Sequence, residues 1–544
     1  MHVRFVIMKK RFWLFYVLVL LPASLFGQGE AANWLTNVGT FRFDANGLLQ
    51  YSALPKNVKT GFLGIQQNPL PVVNSCDGKI LFFESDSAQT RSLIDSTGNR
   101  LLNGNLSIGN NSKPAAIEKI SLNEDLYLMF ADSAIALIGG TSYVAALFCT
   151  KIEKSQTNNK YMVTTRTALP DQITGGFTVV PHANGMDKWL IFVNRLINTY
   201  HVYLIDTSAN LTPHSTFTDA RCNHNQANGE RLYASPDGTK LVTCNLRNSQ
   251  IEFLKFNPAT GLLDSLVILP MILNGLQQLN NPYFCFSPNG TKLYAWMSVS
   301  PIFQYDITTW DSIAIRSSSQ RILNAVSQFA SLTLAVDGKI YIFGITNAAP
   351  FRLNFSRINE PDLPYPLNGF QDTVVFLPAS LPPQAFQQHM PRFPMRYFYP
   401  GRFSVVANDV CLGDTARIRL YEYDNLNSVR WNFGDPASPN NTDTVFAPVH
   451  YYSQPGTYTI TAIADYCNKL DTLTKTIRVW GFPESPELPD TVLCAGSSLP
   501  VALMSDSVLS IRWSNGDSLW STSFNTGGWH WVELSNPCFT TRDS

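Results

Sequence analysis

Charge is what this sequence has least of. Of its 544 residues, 15% are Asp, Glu, Lys or Arg, against roughly 25% in an ordinary soluble domain. The 40 basic residues balance the 40 acidic ones, so no electrostatic footprint for nucleic acid or an anionic membrane surface is present. Motifs that carry chemistry are missing as well: there is no HExxH, no G-x-S-x-G, no P-loop and no Rossmann glycine pattern. EF-hand spacing is absent. No CxxC or Cys/His zinc spacing occurs, and the eight His are dispersed. We therefore nominate no catalytic residue, metal site or cofactor. Past residue 27 no stretch reaches 18 uninterrupted apolar residues, so no membrane-spanning helix is expected in the mature chain. Helical periodicity is scarce throughout.

What is abundant points the other way. Aromatics reach 12%, with 32 Gly and 33 Pro, the composition of many short strands joined by tight turns. The length exceeds one hydrophobic core and implies several domains. At the N-terminus Lys9, Lys10 and Arg11 precede the apolar run Phe12 to Leu21, and Pro22, Ala23 and Ser24 lead to a cleavage point near Gly27 and Gln28. The run is too short to span a bilayer, so residues 1–27 are expected to be a cleaved signal peptide. Export makes the nine cysteines oxidisable. Cys76, Cys149, Cys222, Cys244 and Cys285 scatter over the first 400 residues with no evident pairing, as structural disulfides or buried thiols; Cys411, Cys467, Cys494 and Cys538 follow.

A turn feeding an apolar strand recurs roughly every 50 residues. It reads Ser75-Cys-Asp-Gly-Lys-Ile-Leu-Phe-Phe, then Asn123-Glu-Asp-Leu-Tyr-Leu-Met-Phe and Asn184-Gly-Met-Asp-Lys-Trp-Leu-Ile-Phe. Ser235-Pro-Asp-Gly-Thr-Lys-Leu-Val, Ser287-Pro-Asn-Gly-Thr-Lys-Leu-Tyr and Val336-Asp-Gly-Lys-Ile-Tyr-Ile-Phe complete the series. Asp-Gly and Asn-Gly supply the positive φ of hairpin turns, and the apolar run after each is a buried strand. Weaker strands lie between, at Ile251-Glu-Phe-Leu-Lys-Phe and Pro301-Ile-Phe-Gln-Tyr-Asp-Ile. One such signal per period predicts an all-β chain whose residues 28–397 form a β-propeller (WD40/YVTN-like) of six to seven blades, seven being preferred. Such a ring is either a scaffold alone or a scaffold with a ligand on its top face. The one tight polar group holding a His, Arg221-Cys-Asn-His224, reads as a capped turn.

After the Pro- and aromatic-rich stretch Leu381 to Pro400 the texture changes. Residues 402–480 contain Trp431-Asn-Phe-Gly-Asp, then His450-Tyr-Tyr and Pro455-Gly-Thr-Tyr. This resembles the PKD domain, an immunoglobulin-like β-sandwich. Trp431, Phe433, Gly434 and Asp435 match its W-x-F-G-D, His450 and Tyr452 its H-x-Y, and Gly456 and Tyr458 lie in its P-G-T-Y. The resemblance implies Trp431 and Tyr458 between two sheets, turns at Gly434 and Gly456, and a packing or hydrogen-bonding role for His450. A bridge across the module between Cys411 and Cys467 is expected. Residues 486–544, with Thr491-Val-Leu-Cys, Ile511-Arg-Trp-Ser-Asn-Gly-Asp and Gly528-Trp-His-Trp-Val, resemble an Ig-like module, truncated before its last strand, with Cys494 and Cys538 as its bridge. Trp529 and Trp531 fall on one face of a strand, either in the core or as sugar-stacking aromatics.

The whole is similar to exported proteins associated with gliding motility and type IX secretion. Asp77-Gly-Lys-Ile-Leu-Phe-Phe, His182-Ala-Asn-Gly, Gln304-Tyr-Asp and Asp337-Gly-Lys-Ile-Tyr carry the likeness, while the family's C-terminal sorting domain is missing. Asp86-Ser-Ala, Asp132-Ser-Ala, Asp414-Thr-Ala and Asp490-Thr-Val resemble the O-glycosylation tripeptides of such bacteria. The resemblance implies a secreted or cell-surface location, with the periplasm as the alternative. It also implies a non-enzymatic binding, adhesion or scaffold role toward a surface protein or carbohydrate. The rival reading is an exported peptidase or glycosidase with its site in the propeller loops; a structural stalk element is the third.

Overall fold

The structure, a computed structural model, describes the chain from Asn33 to Ser544 except residues 36–39, 44–48, 53–71, 75–79, 88–89, 98, 107–115, 121–125, 139–141, 174–175, 195–196, 222–231, 246–248, 271–281, 297–301, 323–330, 336, 346–352, 377–403, 422–425, 467–468, 489, 495 and 504–507. The segments expected to be a signal peptide (1–27), the turn holding Cys76, the turn start Asn123-Glu-Asp, the Cys222-Asn-His224 part of the polar group and the linker at 381–400 lie outside the described residues.

The described residues form an all-β chain: one short helix, Ser312–Ser317, interrupts a succession of strands. A three-stranded meander (Asn33–Leu35, Thr40–Phe43, Leu49–Ser52) comes first, followed by six four-stranded antiparallel units. The third unit is Phe177–Pro181, Lys188–Asn194, Thr199–Ile205 and Leu211–Thr218. The fourth is Tyr233–Ala234, Lys240–Asn245, Gln250–Asn257 and Leu262–Pro270. The fifth begins at Tyr283–Phe286 and the sixth at Ser331–Leu334.

Burial shows how the units stand. In the third, the first three strands are almost wholly buried and the fourth alternates toward solvent; the fourth unit follows the same gradient. First strands of successive units from the third to the sixth lie beside one another. These are blades of a β-propeller, inner strand to outer. A blade strand has both faces covered, which is why Lys188-Trp-Leu-Ile-Phe-Val-Asn is a near-continuous apolar run instead of an alternating one. Its residues divide between two cores. Leu190 and Phe192 pack toward the second unit with Phe130 and Leu147, while Trp189, Ile191 and Val193 pack toward the fourth with Leu241 and Leu254. Burying side chains of this size stabilises by about 1.5–3 kcal/mol each. Cys149, Cys244 and Cys285 sit buried in these inter-blade cores, and burial pushes the thiols of Cys149 and Cys285 up to about 12.

One irregularity stands out. The first two four-stranded units join into a single eight-stranded sheet, because the outer strands Arg100–Asn105 and Tyr161–Ile173 meet in parallel at Leu102 and Met162.

The chain then builds a β-sandwich. One sheet runs in the order Val410–Cys411, Lys469–Trp480, Gly456–Tyr466, Leu426–Asn432, Thr442–Asp443. Facing it are two short pairs, Thr415–Arg417 with Val449–Tyr451 and Val405–Val406 with Arg419–Leu420. Trp431, Phe433 and Tyr452 fill the core with Ile418, Ile460 and Ile477. A smaller two-sheet module follows: Leu499–Ala502 with Ser521–Phe524, and Ser510–Trp513, Val532–Ser535, Thr540–Asp543. Its core holds Ile511, Trp513, Phe524, Val532 and Leu534. Among the described residues no helix is long and apolar enough to cross a membrane.

The disulfide prediction needs correcting. Cys411 is bonded to Cys538, with Cα atoms 5.5 Å apart, and Cys494 is a free, exposed thiol. Register explains the first pairing. Val410–Cys411 runs parallel to the end of Lys469–Trp480, with Cys411 opposite Trp480. The residues flanking Cys467, Tyr466 and Lys469, pair with each other at the far end of that strand. Eleven residues (480 − 469) separate the two ends, about 36 Å at 3.3 Å per residue, whereas a disulfide needs Cα atoms within about 7 Å. Cys467 itself lies outside the described residues. Cys538 is brought to Cys411 because its neighbours dock at the module junction: Asn536 Nδ2 donates to Gly481 O at 2.8 Å, and Phe539 packs on Phe482 with ring centroids 4.1 Å apart.

Candidate functional site

Among the described residues no group of three His, Cys, Asp or Glu side chains could hold a metal ion. The sequence-nominated residues of the first sandwich come together, but in its interior. His450 Nε2 lies 3.1 Å from Asp435 Oδ2, and both side chains are almost completely buried. The imidazole stacks on Phe433 at 4.3 Å and meets Tyr452 edge-on at 4.5 Å. Tyr452 Oη donates to Phe433 O at 2.9 Å, and Asp435 N to Asn441 Oδ1 at 2.7 Å. Trp431 Nε1 donates to Val445 O. Gly434 has φ +73°, and a Cβ there would run into the backbone of Thr459. Gly456 opens the strand that carries Tyr458, which is partly buried against the core with its hydroxyl donating to Gln454 O. With its ring closed in on every side, His450 has no route to a substrate. The described part of the Arg221 group is a surface ion pair, Nη2 to Asp219 Oδ2 at 2.6 Å.

Among the described residues the most exposed aromatic side chain, Trp529, is on the second module. Two loops stand together where Ser510–Trp513 and Val532–Ser535 pair at Trp513 and Val532. One covers 514–520 and the other 525–531. Ser514 N donates to Trp531 O at 2.9 Å, and Ser514 Oγ lies 3.2 Å from His530 Nδ1. His530 also stacks on the core residue Phe524 at 4.1 Å, with Nε2 2.8 Å from Thr526 O. The second loop is therefore pinned through His530, and its neighbour Trp529 projects into solvent, 83% exposed. Gly528, at φ +132° with no neighbour near its missing Cβ, makes the turn that lifts the indole.

The first loop is equally fixed. Trp513 Nε1 donates to Leu519 O at 2.8 Å, Asn515 Nδ2 to Asp517 Oδ2 at 3.0 Å and to Thr522 Oγ1 at 2.8 Å, and the Thr522 hydroxyl bonds Asp517. It holds Leu519 and Trp520 exposed. The reading of Trp529 and Trp531 as one strand face is thus corrected. The strand starts at Val532, Trp529 is outside the core, and Trp531 is half-buried beneath the Arg542 guanidinium, 3.9 Å from its ring centroid. The dipeptide spacing alone hid this, because the two glycines Gly527 and Gly528 were the signal for a loop.

No protein-family model matches the chain, and no curated protein matches it in sequence. Solved structures similar to it include a Lactobacillus plantarum protein, 14% identical, covering 58% of this chain and 86% of that one with a TM-score of 0.39. The periplasmic gluconolactonase of Pseudomonas aeruginosa is 12% identical over 62% of this chain and 91% of that one, TM-score 0.37. The exo-β-1,3-galactanase of Phanerochaete chrysosporium is 11% identical over 72% and 93%, TM-score 0.28. At those identities and TM-scores, what this chain binds has to come from its own residues.

Proposed function

We propose that this chain is an exported, non-enzymatic surface-binding protein, in which a propeller and a PKD-like sandwich form the scaffold and the second sandwich carries a carbohydrate-binding tip. Trp529 carries the reading. An indole 83% exposed is costly to leave in water, yet here the loop beneath it is fixed by a ring stack and two short polar contacts. A rigid aromatic face with little conformational entropy to lose is what a pyranose ring stacks on. The low charge of the whole chain suits a neutral ligand better than an ionic one. Export rests on the N-terminal Lys9-Lys-Arg and Phe12–Leu21 pattern, and the disulfide between Cys411 and Cys538 is compatible with an oxidising compartment. Secretion in the manner of gliding-motility proteins rests on the sequence resemblance.

The test is a glycan array probed with the full chain and with Trp529→Ala. Wild type should retain a defined set of neutral oligosaccharides. The variant should lose them roughly tenfold or more, the weight of one good aromatic contact, with an unchanged melting temperature because the indole lies mostly in solvent. Equal retention by both proteins, or capture of proteins but no glycans, contradicts the proposal.

A further inference from the structure

Tight turns join the first and second strands of the last four propeller units: 182–187, 235–239, 287–291 and 335–339. Three of them span five residues and share one closure. Gly238 N donates to Ser235 O, Gly290 N to Ser287 O and Gly338 N to Ala335 O, at 2.8–3.0 Å. Asp237 and Asn289 cap the first two by accepting the amides of Thr239 and Thr291. The remaining turn, His182-Ala-Asn-Gly-Met-Asp, keeps the same closure, Gly185 N to His182 O at 2.9 Å, but is one residue longer. Asn184 stabilises the extra length: its Oδ1 accepts Met186 N and Asp187 N, and its Nδ2 donates to Asp187 Oδ2 at 2.6 Å.

That deviant turn touches the first sandwich. Tyr421 Oη donates to His182 O at 2.9 Å. Gly185 is buried at φ +72°, and a Cβ there would strike the Tyr421 carbonyl and approach its ring. Tyr421 is itself buried, although it belongs to no part of its own sandwich's core. Behind the turn, His182 stacks on the buried Trp189 at 4.9 Å, and Ala183 N donates to Pro258 O of the next unit at 3.0 Å. The receiving surface is therefore braced by two units before the sandwich arrives.

We infer that the turn His182–Asp187 is a dedicated receptor for the chain's own first sandwich, so that this sandwich is a fixed cap on the turn rim of the propeller and not a swinging spacer. The repeat unit supplied the turn; its extra residue and the bare Gly185 turn it into a socket for Tyr421.

The full chain supplies its own strain-matched control. Gly338 has φ +74° and nothing within 4 Å of its missing Cβ, so Gly338→Ala carries the same backbone strain as Gly185→Ala without a docking clash. Small-angle scattering of Gly185→Ala should show a longer maximum dimension than wild type, and Gly338→Ala should not. Hydrogen exchange at 182–187 should quicken roughly tenfold in Tyr421→Phe, the weight of one hydrogen bond, and more in Tyr421→Ala. Should Gly185→Ala fail to fold, the Tyr421 variants, which leave the propeller sequence intact, decide the matter. Identical scattering from Gly185→Ala and Gly338→Ala, or wild-type exchange and scattering from Tyr421→Ala, overturns the inference.

Discussion

Two polar residues of the first sandwich set a stability limit. Asp435 and His450 are withdrawn from water together, so each depends on the other. Removing one partner leaves the other as a buried polar group without its hydrogen bond, at a cost of about 1–3 kcal/mol. Asp435→Ala should therefore lower the unfolding free energy of this module by about that amount in urea titration; a loss under about 1 kcal/mol would contradict the packing described. Elsewhere single carboxylates close turns. At Asp306 burial pushes the carboxyl up, but hydrogen bonds from Lys292 and Thr308 more than offset it and hold it below the ordinary value. Asp206 and Asp95 follow the same pattern, with Asn210 and Thr97 as their first donors. A carboxyl whose folded pKa is depressed contributes stability above its unfolded pKa, near 3.9, and loses it as pH falls through the folded value. The urea midpoint should drop on acidification from about pH 5 to about pH 3, and Asp306→Asn should flatten that slope. Equal slopes for variant and wild type would show that the Lys292 contact, 2.5 Å from Asp306, contributes nothing.

Elements were legible in the sequence where a local rule decided them. Ser235-Pro-Asp-Gly and Ser287-Pro-Asn-Gly form turns because Gly238 and Gly290 need φ near +70°, and the apolar runs beyond them are blade strands because neighbouring blades cover both faces. The strand Ile251-Glu-Phe-Leu-Lys-Phe lies within Gln250–Asn257, again on local grounds. Cysteine pairing was not legible, because it depends on a parallel register between Val410–Cys411 and a strand end some seventy residues on. Nor was the indole of Trp529 distinguishable from a core indole, since only the fold reveals that Val532 begins the strand. The bridge found makes a prediction of its own. By joining the two sandwiches, Cys411–Cys538 should stabilise the smaller one by about 2–4 kcal/mol. Calorimetry of oxidised wild type should show its transition lowered equally by reductant and by Cys538→Ser. A transition indifferent to both, or a non-reducing peptide map pairing Cys538 with Cys494, would remove the bridge from the account.

Across the whole molecule, the propeller spends its hydrophobic surface on inter-blade cores, and the first sandwich spends its aromatics on an interior closed around His450. Among the described residues, the tip of the second module holds two exposed indoles, Trp520 and Trp529, on loops fixed by their own hydrogen bonds. A binding protein holds its ligand and returns it unchanged, whereas a glycosidase shortens it. The direct measurement is to incubate the full-length protein with neutral surface-polysaccharide fragments, isolate what it retains, and determine chain length by mass spectrometry over time. The account predicts fragments held through Trp529 and recovered at their original length. Products shorter than the input, or retention that survives Trp529→Ala undiminished, would contradict it.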